Sequence, residues 1–480
     1  MTPPLDTRPH PIPPRLPAIL ALVGLLSLGG CAGFSPDGGM DGVSGLMKPH
    51  LDQPVTRLTD ANQSQIAAEV EGLLATPLSM ETAVTVALLN NRGLQADYAD
   101  LGIAEADLVQ AGRLTNPRFT FARTAGGEHR EYERAFLFDL MGLLTRPART
   151  EIESRRFRQA QIRAAQAALS LAAETRQAYV ATIAARQTVN YLEDVEQAAE
   201  AGAQLARRMA EAGNFSRLRQ ERETLYLADV KAQLHRARQG LVAEQERLTR
   251  LLGLDAPRRF TLPARLPSPP DSPLEEAPLV QQAMDQRLDL TLARQELEGQ
   301  AKNLGLTRST GLINVLEVGY LNNGARGETG MEGYEIELAL PLFDAGQARN
   351  AKAEALYTQA MHRAAEMGIN ARSQVREAYA AYRSAYDLMR HYWDEVVPLQ
   401  ERISEENLLR YNGMLISVWE LLADARDQSA SVHAAIQALK DFWLAESALR
   451  MAVAGVEHRG GPTQPATSQP TPSTTAAAGH

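Results

Sequence analysis

Cysteine is almost missing from the chain. Cys31 is the single one in 480 residues, which excludes an intrachain disulfide framework, a multi-cysteine zinc site and a redox pair. Aromatic side chains are also scarce, at 5%, yet the apolar fraction of 44% is that of a folded protein and excludes a wholly disordered chain. No basic block interrupts a sequence of formal charge −9, so a general nucleic-acid binder is excluded and no nucleic-acid partner is expected. There is no GxGxxG, Walker A or HExxH element, and the nine histidines are scattered without ligand spacing. With no nucleophile or metal constellation, no catalytic, cofactor or metal site is expected, and the chain reads as a non-enzyme. Beyond residue 30 no apolar run approaches the length of about 18 that suggests a membrane helix. Any membrane crossing must therefore be made by strands.

One apolar run is present, residues 16–30, LPAILALVGLLSLGG, preceded by Arg8, His10 and Arg15. It is shorter than the roughly 20 residues of a spanning helix and has signal-peptide length. Its end, Leu28-Gly29-Gly30-Cys31, resembles the bacterial lipobox, in which the cysteine is diacylated before cleavage. The alternative is an ordinary signal peptide with a coincidental cysteine. Ala32 follows, where an inner-membrane retention signal would usually place Asp. The resemblance implies that residues 1–30 are removed, that Cys31 carries a covalent lipid as its one attached group, and that the mature chain is anchored to the bacterial outer membrane.

Residues 31–77, rich in Gly, Pro, Asp and Ser around Gly38-Gly39-Met40-Asp41-Gly42, read as an extended, flexible leader, and residues 458–480 as a disordered low-complexity tail. Between them the sequence is written twice with a period near 200, in repeats 78–256 and 278–457 joined by a Pro-dense linker at 257–277. Ala87 through Leu94 matches Ala283 through Leu290, Leu137-Phe138-Asp139 matches Leu342-Phe343-Asp344, and Gly213 with Ser216 matches Gly413 with Ser417. Each repeat predicts a short helix, a medium helix, a strand hairpin, a very long helix and a return helix. The expected helices are 79–89, 92–113, 147–212 and 216–252, then 278–286, 289–308, 346–411 and 415–456. Thr145 with Pro147, and Asp344 ahead of Gly346, offer start signals for the long helices. Each long helix would run roughly 100 Å, and a medium and a return helix end to end would match it. The fold class is α+β, mainly α. Gly213 and Gly413 fall where long helices reverse, which calls for backbone geometry that other residues resist.

Strands are expected at 117–125, 131–139, 313–321 and 333–341. Alternation puts Tyr334, Ile336, Leu338 and Leu340 on one face and Glu335 and Glu337 on the other, and Glu317 opposes Leu316 and Val318 in the same way. About nine residues per strand suits an outer-membrane barrel, where lipid and lumen faces alternate. The three glutamates would then line the lumen. Four strands cannot close a barrel, so a membrane-crossing chain must oligomerise.

The chain from about residue 78 to 457 resembles the TolC family of outer-membrane efflux proteins. Leu340-Pro341-Leu342-Phe343-Asp344-Ala345-Gly346 matches the family's Pro-Leu-Phe-Asp-x-Gly element, and Arg410-Tyr411-Asn412-Gly413-Met414-Leu415-Ile416-Ser417 resembles its helix-turn element. Gly213-Asn214-Phe215-Ser216 matches the same element less completely, and Leu251-Leu252-Gly253-Leu254 closes the first repeat in the family's manner. The first repeat departs at 137–144, which lack the proline, and at Arg219, where the family often has an acid. The resemblance implies a homotrimer with long antiparallel helices forming an α-helical barrel, and a twelve-stranded β-barrel in outer-membrane lipid. It implies the exit duct of a tripartite efflux system for small molecules or metal ions. The tips Gly213, Asn214, Phe215, Ser216, Gly413, Met414, Leu415 and Ser417 would dock a periplasmic adaptor belonging to an inner-membrane pump. The second tip is similar to those of metal-efflux members, which favours metal ions over drugs. A lipid-anchored adaptor protein is the rival reading, but it would carry one helical hairpin between β-rich segments and no 200-residue duplication. Glu405, Glu406, Glu420, Asp424 and Asp427 near the second tip could form acidic rings or simply a solvated helix face. Tyr411 and Trp419 suit contact or packing equally, and the methionines suit core filling better than soft-metal binding.

Overall fold

The computed structural model describes residues 33–126, 129–255, 260–310, 316–325, 331–338 and 346–456. The leader contributes α1 (Met40–Met47) and α2 (Gln63–Leu74). The first repeat contributes α3 (Met80–Asn90), α4 (Arg92–Ala111), β1 (Arg118–Gly126), β2 (His129–Asp139), α5 (Leu140–Glu211) and α6 (Arg217–Leu251). The second contributes α7 (Glu276–Gln286), α8 (Leu288–Thr310), β3 (Leu316–Ala325), β4 (Met331–Leu338), α9 (Gln347–His391), α10 (Val397–Asn412) and α11 (Val418–Ala454). The element order of both repeats is the one the sequence predicts. Among the described residues no helix is long and apolar enough to cross a membrane.

Compactness divides the chain differently from the repeats. One unit gathers residues 33–39 with the described parts of Asp100–Ala160 and Glu298–Thr358, and the other holds Met40–Ala99, the described parts of Gln161–Leu297, and residues 359–456. Each unit thus takes matching pieces from both repeats.

The first unit is organised by one antiparallel sheet in the order β1-β2-β3-β4. Its middle seam joins the repeats, with Phe136 opposite Tyr320 and Phe138 opposite Val318. β2 passes directly into α5. The Asp139 carboxylate accepts the Gly142 N–H at 2.6 Å and caps the helix. A Cβ on Gly142 would fall 2.2 Å from Asp139 Oδ2, so a larger residue there would displace the capping carboxylate. The start expected at Thr145 and Pro147 is therefore wrong by about two turns. Pro147 lies inside α5, and the Thr145 hydroxyl donates back to the Met141 carbonyl instead of capping. Asp344, the corresponding residue of the second repeat, lies outside the described residues.

In the second unit α5 packs on α6 through Val189, Leu192 and Leu234, and again through Val195, Ala199 and Val230. Each return helix ends on a left-handed glycine, Gly253 at φ +66° and Gly455 at φ +70°. Both glycines are pressed against the junction of their repeat's two short helices. A Cβ on Gly253 would lie 2.5 Å from the Asn90 carbonyl oxygen, and one on Gly455 would lie 2.3 Å from Asp289 Oδ1. The junctions are then pinned by side chains. Asn90 Nδ2 donates to the Leu252 and Gly253 carbonyls at 3.0 and 2.7 Å. Arg287, buried, donates to Asp289, Gln374 and the Ala452 carbonyl.

Two expectations are corrected here, those for the leader and for the second long helix. The leader is not simply extended: α1 buries Met40, Val43 and Met47, and the Gln95 side chain accepts the Leu58 N–H at 2.8 Å. The described part of the Pro-dense linker is bound to helices, with Trp443 donating to the Pro267 carbonyl at 3.2 Å and Tyr386 to the Asp271 carbonyl at 2.8 Å. The helix expected over 346–411 is interrupted by a π-helical turn at Tyr392–Val396. Pro398 follows two residues later and has no N–H to give, which is where a helix widens or breaks.

Candidate functional site

Two features stand out as candidate sites, the hairpin tips of the second unit and the faces of the sheet in the first. At the first tip α5 ends on Gly213, φ +79°. The Gly213 N–H bonds to the Ala210 carbonyl at 3.0 Å and the Asn214 N–H to the Met209 carbonyl at 2.9 Å, the paired bonds of a glycine-terminated helix. Ser216 then caps α6 by accepting the Arg219 N–H, as Ser417 caps α11 by accepting the Glu420 N–H. The second tip is built differently. Gly413 has φ −80°, and the left-handed residue is Met414, φ +59°. The need for glycine read from the sequence therefore holds at Gly213 and fails at Gly413. Met414 and Leu415 are 93% and 78% exposed, with Leu409 beside them also exposed.

Phe215 and Trp419 stack at 4.0 Å between ring centroids, with planes 13° apart, and lace one tip to the other. The Arg219 guanidinium lies 5.9 Å over the same Phe215 ring. This gives Arg219 a place in aromatic packing where the family often has an acid. Trp419 is a packing residue, whereas Tyr411 is exposed. Below the tips, Glu223 accepts a hydrogen bond from Arg426, whose guanidinium also sits 4.1 Å over the Tyr226 ring. Burial pushes the Tyr191 and Tyr226 phenols up from their ordinary range. Of the five acids near the second tip, Asp424 is buried and accepts from Gln400 at 3.2 Å, and Glu406 pairs with Arg410 at 2.9 Å. Glu405, Glu420 and Asp427 face solvent.

The sheet has two chemically distinct faces. Cross-strand register puts Phe119, Phe121, Phe136, Phe138, Tyr320, Tyr334 and Ile336 on one of them, and all seven are exposed. Tyr334 reaches 81%. On the opposite face Glu317 pairs with Glu337 and Gly319 with Glu335, so the three glutamates named from alternation share one face. Glu131 and Glu133 belong to it as well, through Ala325 and Asn323. The sequence reading overlooked this pair, although Glu131-Tyr132-Glu133 carries the same alternation. Cys31 lies outside the described residues, as do the signal segment and the tail at 457–480. Among the described residues no group of acids, histidines or cysteines is arranged to hold a metal.

Paired helical hairpins written twice, with one four-stranded antiparallel sheet between each repeat's medium and long helices, make the fold of the TolC-family outer-membrane channels, as the resemblance in sequence implied. No protein-family model matches the chain. Crystal structures of CusC, concerned with folding and transmembrane channel formation, are similar at TM-score 0.64 and 17% identity over 78% of this chain and 92% of that one. The Campylobacter jejuni outer membrane channel CmeC is similar at TM-score 0.66 and 16% identity over 79% and 87%. Among curated proteins, the cobalt-zinc-cadmium resistance protein CzcC of Cupriavidus metallidurans is 24% identical over 283 residues. That match takes in 57% of this chain and 65% of CzcC, so it spans just under two-thirds of the relative's length. The rival adaptor reading is not favoured, because the described residues hold two helical hairpins and one sheet shared by both repeats.

Proposed function

We propose that three copies of the chain form an outer-membrane exit duct of an efflux assembly, and that its cargo is metal cations. The sheet carries the reading. It exposes a face that is aromatic and aliphatic toward the helices, with Arg123, Arg134 and Asn322 toward the hairpin end, and its outer strands β1 and β4 have no partner on their free edges among the described residues. In lipid every backbone polar group needs a partner, so an open sheet cannot span a membrane alone. Pairing β4 of one copy with β1 of the next closes twelve strands over three copies, with the apolar face toward lipid and the glutamates toward the lumen.

The exposed Met414, Leu415 and Leu409 suit docking to a periplasmic adaptor joined to an inner-membrane pump, and a lipid on Cys31 would add an anchor. Cation cargo is supported by the likeness to a cobalt-zinc-cadmium resistance protein and by a lumen face rich in carboxylates, whose potential concentrates cations. The test is sedimentation and planar-bilayer recording of the full chain purified in detergent. A trimer that opens conducting channels is expected; a monomer soluble without detergent would overturn the reading. Cells lacking the protein should become sensitive to divalent metals, and sensitivity to organic drugs alone would refute the cargo. Fatty-acid labelling should disappear in Cys31→Ser, and unchanged labelling would refute the anchor.

A further inference from the structure

All four helices that adjoin the sheet meet it at one end. Register places Arg118 beside Leu137, Asp139 beside Glu317, and Leu316 beside Leu338, so the starts of β1 and β3 lie with the ends of β2 and β4. The two hairpins close the other end.

Cations gather where the helices arrive. Arg113 follows α4, Arg308 lies in the last turn of α8 and pairs with Glu354, Arg149 lies early in α5, and Arg349 and Lys352 open α9; all five are exposed. Between Leu140 and Ala160 α5 has five arginines and two glutamates, in a chain whose net charge is −9. Apolar residues accompany them. Leu114 adjoins Arg113, and Leu143 and Leu144 precede Arg149, with Leu144 70% exposed. Exposed leucines beside arginines at the strand ends are the pattern of side chains whose stems lie in hydrocarbon and whose heads reach an interface.

We propose that this basic collar binds the anionic headgroups of phospholipids in the leaflet on the helical side of the sheet. The proposal rests on the seating of the sheet in a membrane. Arginine suits the task, since its planar fork takes two phosphate oxygens at once. Position at the strand ends sets the depth of the collar, and charge selects the lipid.

The test places the full-length protein in nanodiscs of equal phosphatidylcholine and phosphatidylglycerol, and counts by native mass spectrometry the lipids retained on release. Phosphatidylglycerol in excess is expected. Changing Arg149→Gln, Arg349→Gln and Lys352→Gln together should reduce the preference, by about fivefold for each cation lost at an anionic surface. The double variant Arg149→Lys with Arg349→Lys should keep it. Equal retention of both lipids by the native protein, or an unchanged excess in the triple variant, would overturn the collar while leaving the membrane seating intact. Failure to enter nanodiscs of either lipid would overturn the seating, and the collar with it.

Discussion

Replacing the glycine at each tip by alanine should have opposite effects. At Gly213, φ +79°, an added Cβ meets no atom within 4 Å, so any cost is purely conformational. A left-handed L-residue costs about 1–2 kcal/mol. At Gly413, φ −80°, the nearest atoms to an added Cβ are carbonyl oxygens at 3.5 Å, an ordinary contact. Alanine there removes glycine's excess backbone freedom and should stabilise the tip by about 0.5–1 kcal/mol. The measurement is amide hydrogen exchange in the folded protein, read at the Asn214 N–H for the first tip and the Leu415 N–H for the second. These bond to the Met209 and Arg410 carbonyls at 2.9 Å each. Gly213→Ala should speed exchange of Asn214 by about 5- to 30-fold, the factor that 1–2 kcal/mol gives in a local opening equilibrium. Gly413→Ala should leave Leu415 unchanged or slower, and Met414→Gly should slow it further by removing the strained left-handed methionine. Acceleration at both tips by similar factors, or none at the first, would refute the conformational argument.

Changing Glu317, Glu335 and Glu337 together to Gln should weaken cation selectivity in planar bilayers, and adding Glu131→Gln and Glu133→Gln should weaken it further. Anion selectivity in the native protein would show the lumen assignment to be wrong. A double-mutant cycle between Phe215→Ala and Trp419→Ala should give a coupling of about 0.5–1.5 kcal/mol beyond lost area, measured by denaturant sensitivity of tip cross-linking, and simple additivity would contradict the stack. Glu151 bonds to Arg155 at 2.6 Å and Lys302 at 2.9 Å, and these cations hold its carboxyl down from 4.5 to about 2. Because the folded value is the lower one, the contribution of this cluster is complete above about pH 4.5 and is lost as pH falls toward 2. Lys302→Met should shift the acid-induced loosening of α5 against α8 upward in pH, and identical acid profiles would count against it.

Much of this fold was legible because long helices and alternating strands write their period plainly. The alternation of Tyr334 to Leu338 and of Leu316 to Tyr320 put the right residues on each face, and the register needed only the pairing of Val318 with Ile336 to be complete. Errors fell where one local signal outweighed another. Pro147 reads as a helix start, yet Asp139 and Gly142 build a better cap upstream. The leader's glycines read as flexible, yet Gly42 lies within α1 with the Gln161 side chain against it. At the second tip, Gly413 next to Met414 predicts that glycine takes the left-handed position. Helix-end hydrogen bonding assigns it to methionine, and nothing in the composition of the turn reveals that. The Phe215–Trp419 stack joins residues some 200 apart in sequence, and no local pattern contains it.

The β2–β3 seam, which joins the two repeats inside one chain, has a consequence for stoichiometry. In the proposed trimer, β4 meets β1 of the next copy across a seam of the same kind, so the ring contains six hairpins alternating between two types and six nearly equivalent joints. Only three of those joints are bridged by covalent chain. The proline-dense segment that ties each pair then does more than connect. It guarantees that unlike hairpins alternate around the ring and are present in equal number, a condition that two separately made half-chains would have to satisfy by affinity alone.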